Sequence, residues 1–239
     1  MLNEEMLHDC WRFIRKDAAF GVDRVSAQEY KLNLDDNIRQ LVERLKGKRY
    51  RAKLVRRQYI PKGNGKLRPL GIPATEDKLL QLAVKRLLEA IYEQDFMRCS
   101  YGNRPQVGAL EAVDKLTIKL QFGKYNYVVE ADIKGFFDNL DHEWLLRMVA
   151  ELADDKALLW MIRKWLKAGI LETDGKVIHP VTGSPQVGIL TRAWCVLKSH
   201  RLLTGASPVV VTVSLLCRPE ARLSQEIHRK QLYLSNRVD

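Results

Sequence analysis

The sequence predicts an α/β fold of the α+β kind, and three features predict it. Apolar residues recur at helical spacing in several segments, a few short runs are rich in β-branched residues, and glycine or proline turns separate the two kinds. With 239 residues, 46% of them hydrophobic, the chain can bury a substantial core in one large domain or two modest ones.

The first predicted element is an amphipathic helix, with Leu7, Cys10, Trp11 and Ile14 on one face and an end before Gly21. A turn, GVDRVS, follows. Ser26 and Glu29 form a capping box, S-x-x-E, and Leu34, Ile38, Leu41, Val42 and Leu45 mark the apolar face of a second helix that ends at Gly47. From 54 to 73 the text becomes LVRRQYIP, GNG and KLRPLGIP, a basic two-stranded ribbon around a glycine turn. Thr75 is the expected N-cap of a long helix reaching about Tyr92, with Leu79, Leu82, Ala83, Leu87 and Ile91 as its stripe, broken by Arg86.

A loop, RCSYGNRPQ, leads to a helix from about Val107 to Leu120, and YVVEADI reads as a strand. Asp141 caps a helix through Leu152, and another runs from about Asp154 to Ala168. ILETDGKVIHPVTG is turn-rich, and Ser184 with Pro185 suggests a further helix start. From Thr204 to Leu216 one isolated strand is expected.

The net charge is +11, which favours a polyanionic partner, because clustered Lys and Arg displace counterions from phosphate backbones. Four scattered cysteines, Cys10, Cys99, Cys195 and Cys217, have no zinc spacing and read as reduced, buried small hydrophobes of a cytoplasmic protein. The N-terminal stretch lacks the apolar core of a signal peptide, and the longest apolar run, VVVTVSLLC, is too short to span a bilayer. No membrane partner is expected.

Two constellations could carry chemistry. In VVEADIKGFFDNLDHEWL, Asp132 ends a buried apolar run, and a carboxylate there needs a cation or several donors. It can ligate a divalent ion such as Mg²⁺, or it can cap the turn and pair with Lys134. In PKGNGKLRPLGIP, Lys62, Lys66 and Arg68 flank a glycine turn whose amides and cations could face a triphosphate, or could form a solvated hairpin.

The order of these blocks then decides between the alternatives. Over residues 1 to about 190 the chain resembles the reverse transcriptases encoded by group II introns and related bacterial retroelements. GVDRVS, YIPKGNGKLRPLGIPATEDKLLQ, SYGNRP, VVEADIKGFFDNLDH and GSPQVGIL stand in that family's order. The resemblance implies the fingers and partial palm of a right-hand polymerase, incomplete at the C-terminus. Residues 1–50 would be an N-terminal helical extension, 51–125 the fingers, 126–190 the partial palm and 191–239 a divergent tail.

It also implies roles. Asp132 matches the first metal-binding aspartate, which with a later pair holds two Mg²⁺ ions for phosphoryl transfer, and Ile133 would lend its carbonyl. Phe137 matches the aromatic that packs under the sugar of an incoming deoxynucleoside triphosphate and excludes a 2′-hydroxyl. Lys62 and Arg68 match the fingers cations that grip the triphosphate, with Lys66 as helper. Arg104 matches a block against the template strand, and Gln186 a glutamine beside the nucleotide pocket. The implied partners are intron or template RNA and an RNA/DNA duplex.

Several positions depart from the pattern. Arg24 stands where a glycine is usual, Asn103 replaces an aromatic, Gln106 and Val107 replace a Gly-Arg pair, and Val187 replaces a glycine. After residue 190 the resemblance stops: the Y-A-D-D text that supplies the other two carboxylates is not found, and between 191 and 239 the sole aspartate is Asp239. Asp154 and Asp155 precede the SPQ block and are misplaced for that role. Residues 191–239 also hold 8 Lys and Arg against 3 Asp and Glu, whereas 1–190 hold 32 against 26. The expectation is a tail out of frame relative to the ancestral gene, which the coding DNA past codon 190 would decide by encoding YADD-like text in another frame or none. A chain with one such carboxylate is expected to be inactive alone. The alternatives are a non-catalytic, maturase-like RNA-binding fragment and a non-functional remnant.

Overall fold

Asn3 opens the first helix: its side-chain oxygen accepts the Met6 amide at 3.0 Å, and Glu4 and Glu5 favour the positive helix end. In the computed structural model, which describes residues 2–61, 65–94, 98–102, 104, 106–123, 127–129, 137–184 and 215–217, this helix is α1 (Glu4–Trp11). Ile14 lies beyond it yet is buried, so the apolar spacing outlasts the helix. The chain divides into two units, Met1–Gln94 with Gly135–Leu197, and Asp95–Lys134 with Lys198–Asp239.

In the first unit the Ser26–Glu29 capping box forms as expected, with Ser26 Oγ accepting the Glu29 amide and Glu29 accepting the Ser26 amide. The predicted second helix is two: α2 (Ala27–Leu32) and α3 (Leu34–Lys46), parted at Asn33, where φ −125° and ψ 43° leave the helical region. Asn37 Nδ2 donates to the Tyr30 carbonyl across the break. Such a break satisfies a carbonyl that a continuous helix would have used internally. Gly47 ends α3, as its sequence position implied.

The ribbon forms as β1 (Val55–Pro61) and β2 (Leu67–Ile72), antiparallel, with Ile60 opposite Arg68. It is part of a larger sheet. The turn-rich stretch supplies β4 (Ile170–Leu171) and β5 (Val177–Ile178), and the order is β2-β1-β4-β5 with β1 parallel to β4. A two-residue strand is too short for an alternating pattern, which is why periodicity missed this hairpin.

α4 (Thr75–Tyr92) is capped by Ala74, not Thr75. Thr75 is already helical, and its hydroxyl donates to the Val25 carbonyl at 2.6 Å. A tertiary acceptor has taken the group that would have capped. The buried face also differs from the predicted stripe: Leu79 and Ala83 are buried with Leu80, Val84, Leu88 and Tyr92, while Leu82 and Leu87 are half-buried. α6 (His142–Ala150) and α7 (Lys156–Leu166) follow, capped by Asp141 and Asp155. The core joins Leu7 and Cys10 of α1, Ile38 and Leu41 of α3, and Leu79 and Leu80 of α4, each fully buried; such a leucine contributes about 1.5–3 kcal/mol.

The second unit contains α5 (Ala109–Phe122), begun where the Gly108 amide donates to Glu111 Oε2 at 2.8 Å, and a two-stranded sheet. Its strands are β3 (Tyr127–Val129) and β6 (Leu215–Cys217), antiparallel, with Val128 opposite Leu216. Of the strand expected from Thr204 to Leu216, residues 204–214 lie outside the described residues, and Leu215 and Leu216 pair with β3. Of the cysteines, Cys10 is buried as expected, but Cys99 is exposed and Cys195 lies outside the described residues. No described helix is long and apolar enough to cross a membrane.

Candidate functional site

The ATEDK segment at the start of α4 gathers the N-terminal turn around it. Besides the Thr75 hydroxyl on Val25, Glu76 pairs with Arg44 at 2.5 Å, and Lys78 Nζ donates to the Ala19 carbonyl. Asp77, 2% exposed, accepts the Tyr50 hydroxyl at 2.5 Å and the Lys53 amide at 3.0 Å. Tyr50 in turn accepts from Trp165 Nε1 at 2.7 Å, so α4 and α7 share one buried chain of donors and acceptors. Burial is the main cause that lifts the Asp77 carboxyl to about 6, against the lowering effect of its two donors. Burial also pushes the Tyr50 hydroxyl up and the Lys78 ammonium down.

GVDRVS is seated on this platform. Gly21 packs so closely that an added Cβ would lie 2.5 Å from Ala74 Cα, and Asp23 pairs with Lys53 at 2.9 Å. The backbone of Arg24 has φ 57°, a conformation that glycine adopts without cost. Gln106 has φ 63°. Two positions where the resemblance expects glycine thus keep glycine's backbone conformation while carrying side chains.

The ribbon is anchored at its base. Arg56 donates to the Phe20 carbonyl and stacks on the Phe20 ring, its guanidinium carbon 4.8 Å from the centroid. Arg57 pairs with Glu172 at 3.0 Å, and the Tyr59 hydroxyl donates to the other Glu172 oxygen at 3.1 Å. Both partners of that ion pair are 15% exposed. Toward the glycine turn, Lys66 and Arg68 are exposed. Lys62 lies outside the described residues.

A second assembly joins two blocks that stand apart in sequence. The turn that begins with Phe137 is bonded to the segment before SPQ: the Ser184 amide donates to the Phe137 carbonyl, and the Gly183 amide to the Leu140 carbonyl, both at 2.8 Å. Buried His142 closes the junction, its Nε2 2.6 Å from the Gly183 carbonyl, which makes Nε2 the donor. At Gly183, φ is 90° and an added Cβ would lie 2.9 Å from the Phe137 carbonyl oxygen. Only glycine fits there.

Phe137 is half-buried at this junction. Arg104, in the other unit, donates to the Ser100 carbonyl at 2.9 Å and is half-buried. Asp132, Ile133 and Gln186 lie outside the described residues. Among the described residues no group of three or more His, Cys, Asp or Glu side chains could hold a metal ion. The fit to a two-metal centre therefore rests on Asp132 in the sequence, and no chemical step is derived through such an ion.

Sequence reasoning missed the ATEDK platform and His142. Four polar residues opening an otherwise apolar helix, with a tyrosine and basic residues nearby, were the available signal for the first.

One long acid-free stretch is also strongly basic. From Arg44 to Thr75 stand eleven Lys and Arg and no Asp or Glu. Lys46, Lys48, Arg49 and Arg51 are exposed, and none of them makes an ion pair among the described residues.

The family model described as "Reverse transcriptase (RNA-dependent DNA polymerase)" matches residues 60–191. The group II intron-encoded protein LtrA of Lactococcus lactis subsp. cremoris is 41% identical over 169 residues, 70% of this chain and 28% of that protein. Protein YkfC of Escherichia coli (strain K12) is 35% identical over 176 residues, 72% of this chain and 45% of YkfC. A 91 kDa protein in the cob intron of Schizosaccharomyces pombe is 32% identical over 167 residues, covering 70% and 20%. The chain thus spans less than half the length of these relatives. Among solved structures, a chain of the Cas6-RT-Cas1–Cas2 complex has the same fold over 98% of this chain and 25% of its own, with a TM-score of 0.54 and 19% identity.

Proposed function

The chain belongs to the reverse transcriptase family, with group II intron-encoded proteins among its relatives, and from that premise we propose that it is a polymerase homolog whose 239 residues do not extend a primer by themselves. The observation that carries this reading is the ordered set of blocks ending at GSPQVGIL. Asp132 stands in its place, and the following residues contain no aspartate pair downstream of the SPQ block to share two metal ions. The nucleotide-facing parts are otherwise in place by sequence: Lys62, Lys66 and Arg68 for the triphosphate, Phe137 under the sugar and Gln186 beside the base. Support for Phe137 comes from the junction with Gly183 and Ser184, which fixes its backbone next to the segment that leads into Gln186. When bound, Mg²⁺ would supply the charge that a triphosphate needs neutralised, with Asp132 and the Ile133 carbonyl as its protein oxygens.

Primer extension on an RNA template with Mg²⁺ and deoxynucleoside triphosphates tests this. No extension above background is expected. Robust extension by these 239 residues that Asp132→Ala abolishes would overturn it.

A second reading is favoured by the exposed cations Lys46, Lys48, Arg49 and Arg51: the chain binds RNA without catalysis. Exposed Lys and Arg free of ion pairs among the described residues suit a phosphate backbone, and their contribution is electrostatic and independent of base sequence.

A further inference from the structure

A cavity of about 610 Å³ opens where the end of α3, the middle of α4 and the start of α7 meet, and we propose that it receives an unpaired nucleobase of RNA. The proposal rests on the RNA-binding reading above and names a subsite for it. Leu45, Leu87 and Trp160 give the cavity an apolar lining, and Lys46, Lys48 and Lys156 line it too. Its volume lies in the range of small-ligand sites. The one acid in the lining, Asp155, caps α7: its Oδ1 accepts the amides of Ala157 and Leu158 at 2.7 and 3.1 Å.

Apolar walls with an indole, edged by cations, match a nucleotide on both counts. A base offers a flat π-face to stack on an aromatic ring, and the phosphates on either side of it need cations a few ångströms away. Beyond Lys48 the positive surface continues through exposed Arg49 and Arg51. One acidic side chain of a protein partner would use only part of that run, whereas a phosphate chain repeats its charge at every residue. A base held in a duplex cannot enter a cavity, so the site selects RNA with a bulge or loop. Most of the walls come from three helices, with Leu2 and Lys48 added from outside them.

Fluorescence anisotropy with two labelled RNA hairpins, one with a single-nucleotide bulge and one fully paired, decides the matter. The bulged hairpin is expected to bind about tenfold more tightly, the worth of one stacked base. Trp160→Ala should reduce that ratio to about one, Trp160→Phe should keep most of it, and Leu87→Glu, at a half-buried helix position, should remove it independently. Lys46→Gln with Lys48→Gln should weaken both hairpins alike and lower the salt dependence by about two charges. Equal binding of the two hairpins by the unaltered chain, or a preference that survives both Trp160→Ala and Leu87→Glu, overturns the subsite and leaves the RNA-binding reading standing. No binding of either hairpin at low salt overturns both. An acidic amphipathic peptide whose binding is lost in Trp160→Ala, with RNA binding unchanged, would give the cavity to a protein partner instead.

Discussion

At Arg24 the backbone takes φ 57°, in a turn closed by the Arg24 amide on the Gly21 carbonyl and by the Val25 amide on Asp23. A side chain in that region costs about 1–2 kcal/mol relative to glycine, offset in part by glycine's greater freedom when unfolded. Arg24→Gly is therefore expected to stabilise the chain by about 0.5–1 kcal/mol, read as a higher urea midpoint with an unchanged slope. Asp77 sets a pH dependence of the opposite kind from an ordinary paired carboxylate. Its folded pKa of about 6 lies above the unfolded value of about 3.9, so the folded state holds the proton more tightly. The stability it confers is complete below about pH 4 and is lost as pH rises through about 6. Denaturant midpoints across that window should fall with pH, and Asp77→Asn should flatten the fall.

Among the elements, the short β4–β5 hairpin does more than its length suggests. β4 lies parallel to β1, and Glu172 just beyond it accepts from both Arg57 and Tyr59 of the ribbon. The base of the ribbon is held by this carboxylate while the cations nearer the glycine turn stay exposed. Glu172→Ala leaves a guanidinium that is 15% exposed without its anion, and should cost about 1–2 kcal/mol, less than for a fully buried pair. Hydrogen exchange should quicken at residues 55–61 and 170–172, with α1 unchanged; equal quickening in α1 would show a global loss instead. The Phe137 turn, by contrast, is held chiefly through backbone groups and His142, so side-chain changes along its outer face should leave it in place.

For the molecule as a whole, charge is the property with the widest consequence. Within the net +11, eleven cations and no acids stand from residue 44 to residue 75, the stretch that holds the α3 end and the ribbon. RNA binding by this surface should fall steeply as salt rises, and a gel shift series checks it. Binding indifferent to salt, or none at low salt, would remove the RNA-binding reading. Each of the two units draws on two separate stretches of sequence, so the full chain is the proper subject of these measurements.

Much of the architecture was legible because it is local. The Ser26 capping box, the Gly47 stop, the Asp141 cap and the β1–β2 ribbon are each written within a few residues, where spacing and turn chemistry act directly. What failed was decided at a distance. Thr75 lost its capping role to a carbonyl fifty residues upstream, Asn33 broke a helix whose apolar face continues, and β4 and β5 exist because β1 offers an edge. The candidate site divides in the same way. By itself the sequence determined the family and the order of its blocks, because those are matters of identity and spacing. Only the tertiary structure decided that Phe137 is bonded to Ser184, that His142 closes that junction on Gly183, and that α3, α4 and α7 enclose a cavity edged with lysines. Those are relations between segments far apart in the chain, and packing brings them together where no local preference can.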